Sequence, residues 1–416
     1  MFRSQKPIAL REEIKKMDEA LKKQMNEILQ KDLDPIYFSV AAKILNDHPQ
    51  SQYVPWLLAH KMTPEEAKVI DSLPDPDWSP ETGELKVTAA FARKLGMDKY
   101  EVDAQILDRF FSGDVVYDAE LGPKIRADPV QWMDLQHSPV WRERNGRAYY
   151  AVLQMFLEDE LAPRMEASTA ASRIGNPDWK NPSGGRIIPR YDSVKDFPEL
   201  LPIENYKTIL QSKELLTIIE CPCRFRHPET ETDIFVCVEA NDAAKLLIDM
   251  GYSRQYSWKE VFDIVQKAGK RKPFVQTGRN NDMMDGTNSA VIQSSNVLCN
   301  CNTTACGVLR NTFRYGSSQK PWDYYTKSRF RAQLDPDKCI NCDLCKNSRC
   351  MFDAIQVKYY REKGIQAKCV NETQCMGCGC CVETCPTGAL TMKLVDPPES
   401  LLGYHPESAS EEKEAQ

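Results

Sequence analysis

Apolar residues near the start of the chain recur every three or four positions. Between residues 9 and 33 they are Leu10, Ile14, Met17, Leu21, Met25 and Ile28. This spacing places them on one face of a helix, so the pattern predicts an amphipathic helix in a leading segment, residues 1–34. We expect the apolar face to pack against the protein. Docking of a partner subunit is the alternative, because such an arm has little of its own domain to cover the face.

The next segment, residues 35–167, is predicted as a helical domain. Its pattern predicts helices at 38–46, 87–95, 98–111 and 147–161 and a strand at 113–117. A further helix is predicted to begin at Thr63, with Thr63 as the cap, Pro64 in the first turn and Glu66 completing a capping box.

Two helices, a turn at Gly96 and a strand follow one another in an order that resembles a winged helix. The resemblance implies a recognition helix at 98–111, whose charged residues are Asp98, Lys99, Glu101, Asp103, Asp108 and Arg109. A helix that enters the major groove past the phosphates should be basic. The acidic helix therefore favours protein contact over DNA binding.

The rest of the chain divides at a segment rich in glycine, proline and asparagine. The predicted segments are a linker at 168–202, an α/β unit at 203–328, a cysteine-rich domain at 329–395 and a tail at 396–416 that ends in acidic residues. Within the α/β unit the pattern predicts strands at 215–219 and 235–238 and helices at 204–211, 243–250, 258–267 and 305–314.

Charge and cysteine content narrow the class of protein. The 416 residues carry 54 Lys and Arg against 60 Asp and Glu, a net charge of −6, which gives no argument for nucleic acid or an anionic membrane as partner. The sequence contains no long apolar run and no signal-peptide pattern, so we expect no membrane span and a cytoplasmic location. The 16 cysteines are then reduced and suit metal ligation better than disulfides.

Two cysteine runs near the carboxyl end share one spacing. Cys339, Cys342 and Cys345 are spaced C-x2-C-x2-C, as are Cys375, Cys378 and Cys381, and Cys350 and Cys385 trail the two runs. Three thiolates on so short a loop reach three corners of one cubane, and the trailing cysteine reaches across to the other cluster. The predicted ligands are Cys339, Cys342, Cys345 and Cys385 for cluster one, and Cys375, Cys378, Cys381 and Cys350 for cluster two. Zinc usually takes two CxxC pairs instead of such triplets.

This part of the chain resembles a bacterial-type two-[4Fe-4S] ferredoxin. Each half places a short helix and strand after its cysteine loop, and the resemblance implies electron transfer with oxygen-sensitive clusters, as in an anaerobe. The chain departs from the family in two places: Met351 stands where the family has proline, and one extra residue precedes Cys350. Neither change removes a ligand. Cys369 and Cys380 fall outside the pattern and are predicted to be packed free thiols.

A second set of cysteines lies in the α/β unit: Cys221, Cys223, Cys237, Cys299, Cys301 and Cys306. It contains two C-x-C pairs, each predicted to lie in a turn. Two such pairs supply four thiolates, so a third [4Fe-4S] cluster is favoured, with structural zinc and buried free thiols as alternatives. Cys237 and Cys306 are then alternate ligands or neighbouring thiols. Arg224 and Arg226 could offset the charge of such a centre, or lie at the surface.

The order of these segments is similar to a group of iron–sulfur proteins from anaerobes. In that group the second C-x-C motif is richer in cysteine, whereas this chain has Asn302, Thr303 and Thr304 there. The resemblance supports the architecture and leaves the ligand set of the middle site open.

The sequence lacks the motifs of several enzyme classes. It has no G-x-G-x-x-G or G-x4-G-K-[ST] loop, no G-x-S-x-G elbow and no paired histidines among its five. His227 lies four residues after Cys223, but an ordinary surface histidine is the favoured interpretation.

Together these patterns predict an α+β multidomain protein with a helical, winged-helix-like amino-terminal region, a middle α/β unit and a ferredoxin-like carboxy-terminal domain. The favoured function is electron transfer with a redox enzyme, either a flavoprotein or a molybdenum or tungsten enzyme. The alternatives are a reductase with its active centre at the middle cysteines and a redox-sensing DNA-binding regulator.

Overall fold

The computed structural model describes residues 23, 32–45, 51–73, 89–118, 122–126, 129–137, 139–163, 185–226, 235–279, 297–303, 305–306, 309 and 325–401. The predicted helix at 9–33 lies almost wholly outside these residues, as do most of the predicted helix at 305–314 and residues 402–416 of the tail. His48, His227 and His405 also lie outside them.

The chain forms two compact units, one of Met1–Met165 with Arg226–Glu229 and the other of Glu166–Phe225 with Thr230–Gln416. This division differs from the predicted one, because the α/β unit and the cysteine-rich domain fall in a single unit. Helices and sheets are both present, as expected for an α+β protein. No helix within the described ranges is long and apolar enough to cross a membrane.

The first unit is mainly helical. Its elements are α1 (Pro35–Leu45), α2 (Val54–Lys61), α3 (Pro64–Asp71), α4 (Ala89–Leu95), α5 (Lys99–Phe111), β1 (Val115–Asp118), β2 (Gly122–Ile125), α6 (Pro129–Leu135) and α7 (Pro139–Met155), which a π-helical stretch, Phe156–Leu161, continues. Strands β1 and β2 pair antiparallel. The predicted apolar face of the last helix is buried, at Tyr150, Leu153, Phe156 and Leu157.

Several of these elements were predicted correctly from local sequence signals. The capping box that begins α3 is confirmed: the Thr63 hydroxyl accepts from the Glu66 amide, and the Glu66 carboxylate accepts from the Thr63 amide. Asp98 caps α5 in the same manner, accepting from the amides of Tyr100 and Glu101. The order α4, α5, β1 agrees with the expected helix, helix, strand, and β2 was not predicted. Protein contact by this region stays a prediction.

The second unit is built on a sheet. Its elements are β3 (Gly185–Ile188), α8 (Tyr191–Val194), α9 (Tyr206–Gln211), β4 (Leu216–Glu220), α10 (Pro222–Arg226), β5 (Phe235–Ala240), α11 (Asn241–Asp249), α12 (Trp258–Arg271), β6 (Val275–Arg279), β7 (Val297–Cys301), β8 (Tyr325–Thr326), β9 (Phe330–Leu334), β10 (Ile355–Tyr360), β11 (Ile365–Val370), α13 (Cys380–Glu383) and β12 (Leu390–Leu394). Six of the strands form one sheet in the order β4-β5-β7-β6-β3-β8, and two antiparallel pairs, β9–β12 and β10–β11, belong to the cysteine-rich part.

The sheet is covered differently on its two sides. Successive side chains of a strand point to opposite faces of the sheet and belong to two different hydrophobic cores. In β3, Ile188 lies in one core and Ile187 in the other. The core with Ile188 includes residues of α9 and α12. The core with Ile187 includes Phe352 and Met376 of the cysteine-rich part. The sheet therefore lies between helices and the cysteine-rich part.

Residues 185–188 correct part of the predicted linker. They form β3, which pairs antiparallel with β6 and parallel with β8. The glycines and the proline in this part of the sequence are typical of a turn. Only three or four residues have the character of a strand. Pairing with strands that are distant in the sequence decides its conformation, because strand formation depends strongly on tertiary context.

Candidate metal centres

Four of the predicted cluster ligands line one cavity, which we call cavity one. They are Cys339, Cys342, Cys345 and Cys385. Apolar side chains complete the wall, among them Leu334 and Leu390. Cys342 is exposed and the other three are partly buried. The fold thus brings the first cysteine triplet together with the trailing cysteine of the second run.

The other four line a second cavity, cavity two. They are Cys350, Cys375, Cys378 and Cys381. Cavity two has nearly the same empty volume as cavity one, about 330 Å³ against about 340 Å³ out to their open sides. Its cysteines are more deeply placed, since Cys375 and Cys381 are buried. Two cavities, each walled by four thiols, suit two groups of the same kind.

The extra residue before Cys350 is absorbed by a change of helix type. Residues Cys345–Arg349 form a π-helical turn, and the Cys350 amide donates to the carbonyl of Cys345, five residues earlier, at 2.8 Å. A π-turn holds one residue more than an α-turn. In the second run, where the spacing is one shorter, α13 is α-helical. Cys350 consequently reaches cavity two despite the insertion.

Met351, which stands where the ferredoxins that this segment resembles have proline, packs against both cores of the sheet. A proline ring could not reach as far, because the methionine side chain is longer and flexible. Met351 therefore gives the loop a packing contact with the sheet. This contact offsets the flexibility that the loop gains by lacking a proline.

Backbone amides donate to several of the sulfurs. The Ala354 amide lies 3.2 Å from the sulfur of Cys350, and the Ala332 amide lies 3.5 Å from that of Cys375. Burial raises the pKa of Cys345 and of Cys350 to about 11. Burial also acts to raise the pKa of Cys385, but hydrogen bonds from backbone amides outweigh it and lower that pKa. Such N–H···S bonds stabilise thiolate and set the potential of a bound cluster.

The six cysteines of the middle set all come together. Interactions between thiols that shift their pKa values link the six in the order Cys221, Cys237, Cys299, Cys301, Cys306, Cys223 and back to Cys221. The Cys301 and Cys306 sulfurs are 3.2 Å apart. We call this group the six-cysteine ring. Cys237 and Cys306, predicted as alternates, are equal members of it.

Three neighbouring strands position the ring. Cys221 follows β4, Cys237 lies on β5, and Cys299 and Cys301 lie on β7. The prediction that each C-x-C pair occupies a turn is wrong for Cys299 and Cys301, which belong to a strand. Residues two apart on a strand face the same side, so the C-x-C spacing places both thiols on one face of the sheet.

The electrostatics of the ring favour neutral thiols when no metal is bound. The hydrogen bond with Cys223 and then burial raise the pKa of Cys221 to about 12, whereas Arg224 acts in the opposite direction. Hydrogen bonds with Cys221 and Cys299, together with burial, raise the pKa of Cys237 well above its ordinary value. A metal that binds here must therefore displace protons.

The two arginines beside the first pair are not at the surface. Arg224 and Arg226 are both buried, and Arg224 donates to the Asn300 carbonyl of β7 at 2.6 Å. This contact ties the loop with Cys221 to the strand with Cys299 and Cys301, and it places a fixed positive charge next to the ring.

A single metal ion needs side chains that converge on one point. Among the described residues, no group of three or more His, Cys, Asp or Glu side chains could hold one ion. A cubane is different, because each thiolate binds its own iron and the four ligands surround a space. Cavities one and two have the second form.

Some residues of the site carried no recognisable signal in the sequence. Cys380 is buried, and its thiol donates to the carbonyl of Phe274 at 3.1 Å. Arg190, which lay in the predicted linker, donates its amide to the Cys378 carbonyl at 3.0 Å. Both contacts join parts of the chain that are far apart in sequence, so no local pattern could indicate them.

Comparison with known proteins gives matches to part of the chain. Residues 338–389 match the family model described as a 4Fe-4S dicluster domain. A protein named archaeal-type glutamate synthase [NADPH], from Dehalococcoides mccartyi, is 38% identical over 69 residues, which are 17% of this chain and 13% of that protein. The chain thus spans only a small fraction of this relative. No solved structure gives a significant match.

The matched segment contains all eight cysteines that line cavities one and two. The carboxy-terminal part of the chain is therefore similar to the 4Fe-4S dicluster domains, which supports a ferredoxin-like module of the kind that carries [4Fe-4S] clusters and transfers electrons.

Proposed function

We propose that this protein is an iron–sulfur electron-transfer protein that exchanges low-potential electrons with a redox enzyme in anaerobic metabolism. One observation carries the proposal: two cavities, each lined by four cysteines, lie within the segment that resembles a dicluster domain. The spacing alone assigns the same two sets of four.

In this proposal the cysteines of cavity one hold cluster one and those of cavity two hold cluster two. Each cluster supplies one-electron redox chemistry. The chain's own part is to hold the clusters, to exclude water and to set their potentials. The amides of Ala354 and Ala332 act on sulfurs of cavity two, and the buried position of Cys375 and Cys381 lowers the exposure of that cluster to solvent.

We propose further that the six-cysteine ring holds a third [4Fe-4S] cluster through four of its thiolates. Structural zinc is the less favoured alternative, because no group of three or more His, Cys, Asp or Glu side chains among the described residues could hold a single ion. Two facts support a metal centre over ordinary core thiols. Each of the six thiols acts on the pKa of a neighbouring thiol, and the buried guanidinium of Arg224 lowers the cost of a negatively charged centre.

A flavoprotein or a molybdenum or tungsten enzyme is the partner that we propose. The ferredoxin-like module offers a contact surface: β10 and β11 form a hairpin on which Val357 and Tyr359 are exposed, and the Ile340 side chain beside Cys339 is 64% exposed. Exposed apolar and aromatic side chains of this kind are typical of protein–protein contacts.

Iron and labile sulfide per chain, measured on anaerobically purified protein, test the proposal. Two clusters require about eight irons and a third raises the number to about twelve, and zinc measured on the same sample decides the alternative for the ring. Cys378→Ser should remove about four irons, since one cluster loses a ligand. Cys369→Ser is the matched control, because Cys369 lies on β11 and lines neither cavity. Iron content that does not change in Cys378→Ser would contradict the ligand assignment.

A further inference from the structure

Cavity two and the six-cysteine ring share one hydrophobic core. Cys301 and Cys306 belong to this core, and Cys299 packs against it. Cys350 and Cys378 of cavity two pack against the same core. Cys345 and Cys385 of cavity one pack against another core, to which Cys375 and Cys381 of cavity two also belong. Of the two cavities, cavity two therefore shares a core with the ring among the described residues.

Cys380 joins the two sites. It stands between Cys378 and Cys381 in the sequence, but it does not line cavity two. Its thiol is the largest cause that raises the pKa of Cys378, and it donates to the Phe274 carbonyl at 3.1 Å. Phe274 precedes Val275, which is the register partner of Cys301 in the β6–β7 pair. Cys380 thus connects the second cysteine loop with β6, which pairs with β7, the strand that carries Cys299 and Cys301.

Buried contacts fix this junction. The Arg190 amide donates to the Cys378 carbonyl, and its guanidinium donates to Glu383 of α13 at 2.9 Å and to Gln266 of α12 at 2.8 Å. The Arg190–Glu383 pair is almost wholly buried, with 1% and 3% of the side chains exposed. A buried arginine whose planar guanidinium donates to two partners holds them in one geometry. The contact between Cys380 and Phe274 is therefore held in place.

Cavity one, in contrast, faces outward. Cys342 is the exposed cysteine of the set, and the neighbouring Ile340 is exposed as well. A protein partner can approach this side without displacing the sheet.

We propose that electrons pass between the six-cysteine ring and cluster two through the Cys380–Phe274 contact, and that cluster one exchanges electrons with the partner enzyme. This inference rests on the proposed function, because it requires clusters at both sites. Each transfer moves one electron: the centre that gives it is oxidised by one and the receiving centre is reduced by one, and no bond breaks. Cys380 is a positioning residue in this scheme, since it ligates neither centre.

The test uses the full-length protein with its clusters and compares Cys380→Ala, Cys380→Ser and Cys369→Ala. Iron and sulfide are measured first. A photoreductant then delivers one electron at a time, and the time course of reduction of each centre is followed by optical and electron paramagnetic resonance spectra. We expect Cys380→Ala to keep its full iron content and to reduce the ring centre several-fold more slowly, because the hydrogen-bonded link to Phe274 is lost.

The conservative and control variants give the sharpest comparison. Cys380→Ser keeps a donor for the Phe274 carbonyl and should restore most of the rate, and Cys369→Ala should behave like the unaltered protein. In Cys378→Ser, which lacks cluster two, the ring centre should stay oxidised. In Cys342→Ser, which lacks cluster one, the ring centre should still be reduced, because the small photoreductant reaches cluster two directly.

Two results would overturn the inference in distinguishable ways. Full iron content with the same rate in all three variants would refute the Cys380 junction and leave the proposed function intact. About eight irons and no metal in the ring would refute the third centre and the junction together, while the two clusters of the module would remain.

Discussion

At the scale of single residues, the two cysteine loops share a backbone that their sequences disguise. Asn341 and Asp343 of the first loop have φ of 54° and 60°, and Gly377 and Gly379 at the matching positions of the second loop both have φ of 74°. Asparagine, aspartate and glycine are the residues that best tolerate this left-handed region. The same loop conformation is therefore available to both runs, although only one of them uses glycine.

Gly377 is a position where the second loop leaves no room for a side chain. A Cβ there would collide with the Phe330 carbonyl oxygen and the Ser328 hydroxyl, whereas a Cβ at Gly388, which also has positive φ, would meet nothing within 4 Å. Both Gly→Ala variants should pay about 1–2 kcal/mol for the left-handed conformation. Gly377→Ala should in addition displace the loop and lower the iron content.

Thermal unfolding and iron analysis of Gly377→Ala and Gly388→Ala check this expectation side by side. Equal iron content and equal loss of stability in the two variants would show that the loop adjusts to the added Cβ.

At the scale of helices and strands, a buried ion pair organises the first unit. The Lys61 ammonium at the end of α2 lies 2.6 Å from the Asp114 carboxylate, which follows α5, and neither side chain has more than 1% of its surface exposed. Trp132 and Gln136 of the α6 region complete the network. Burial lowers the pKa of Lys61 to about 8. Burial acts to raise the pKa of Asp114, but Lys61 and Arg109 outweigh it and keep that pKa below its ordinary value.

Removing one partner of this pair should be costly, because the other is left charged and buried. We expect Asp114→Asn to lower the free energy of unfolding by about 3–5 kcal/mol. The control is Asp103→Asn, which removes the exposed i,i+4 pair with Lys99 and should cost much less, because exposed ion pairs contribute little to stability. Urea titrations at pH 7 measure both values, and similar losses in the two variants would contradict the expectation.

The free energy of unfolding should also depend on pH through Asp114. The folded-state pKa of Asp114 is depressed, so its contribution is present above the unfolded carboxyl pKa of about 4 and disappears as the pH falls through the folded value. Asp114→Asn should lack this part of the acid sensitivity.

At the scale of the second unit, the ferredoxin-like module and the sheet are joined too closely to unfold separately. Arg329, next to β9, donates to Glu204, which precedes α9, at 2.8 Å, and the exposed fractions of the two side chains are 2% and 1%. The Arg190–Glu383 pair makes a second buried connection. The shared core adds apolar contacts between the same two parts.

We therefore expect the sheet and the module to melt in one calorimetric transition, and removal of the clusters to lower its temperature. Glu204→Gln should lower it as well, because Arg329 is left buried without its charge partner, at a cost of about 3–5 kcal/mol. Glu372→Gln is the control, since the Lys393–Glu372 pair is exposed and worth at most about 1 kcal/mol. Two separate transitions in the unaltered protein would refute the coupling.

Much of the cysteine chemistry was determined by the sequence alone, because it depends on short spacings. Two C-x2-C-x2-C triplets with trailing cysteines predict the same two sets of four that line the cavities, and Thr63 and Glu66 predict a helix start that the structure contains. Such features involve residues within a few positions of one another, so the local backbone geometry settles them.

The tertiary structure alone decided the contacts between distant segments. It turned residues 185–188 into a strand, placed the second C-x-C pair on β7, closed six cysteines from three strands and their loops into one ring, and set Cys380 against Phe274. Each of these results depends on which strands become neighbours. That choice follows from the burial of whole sheet faces, which no spacing within a single segment records.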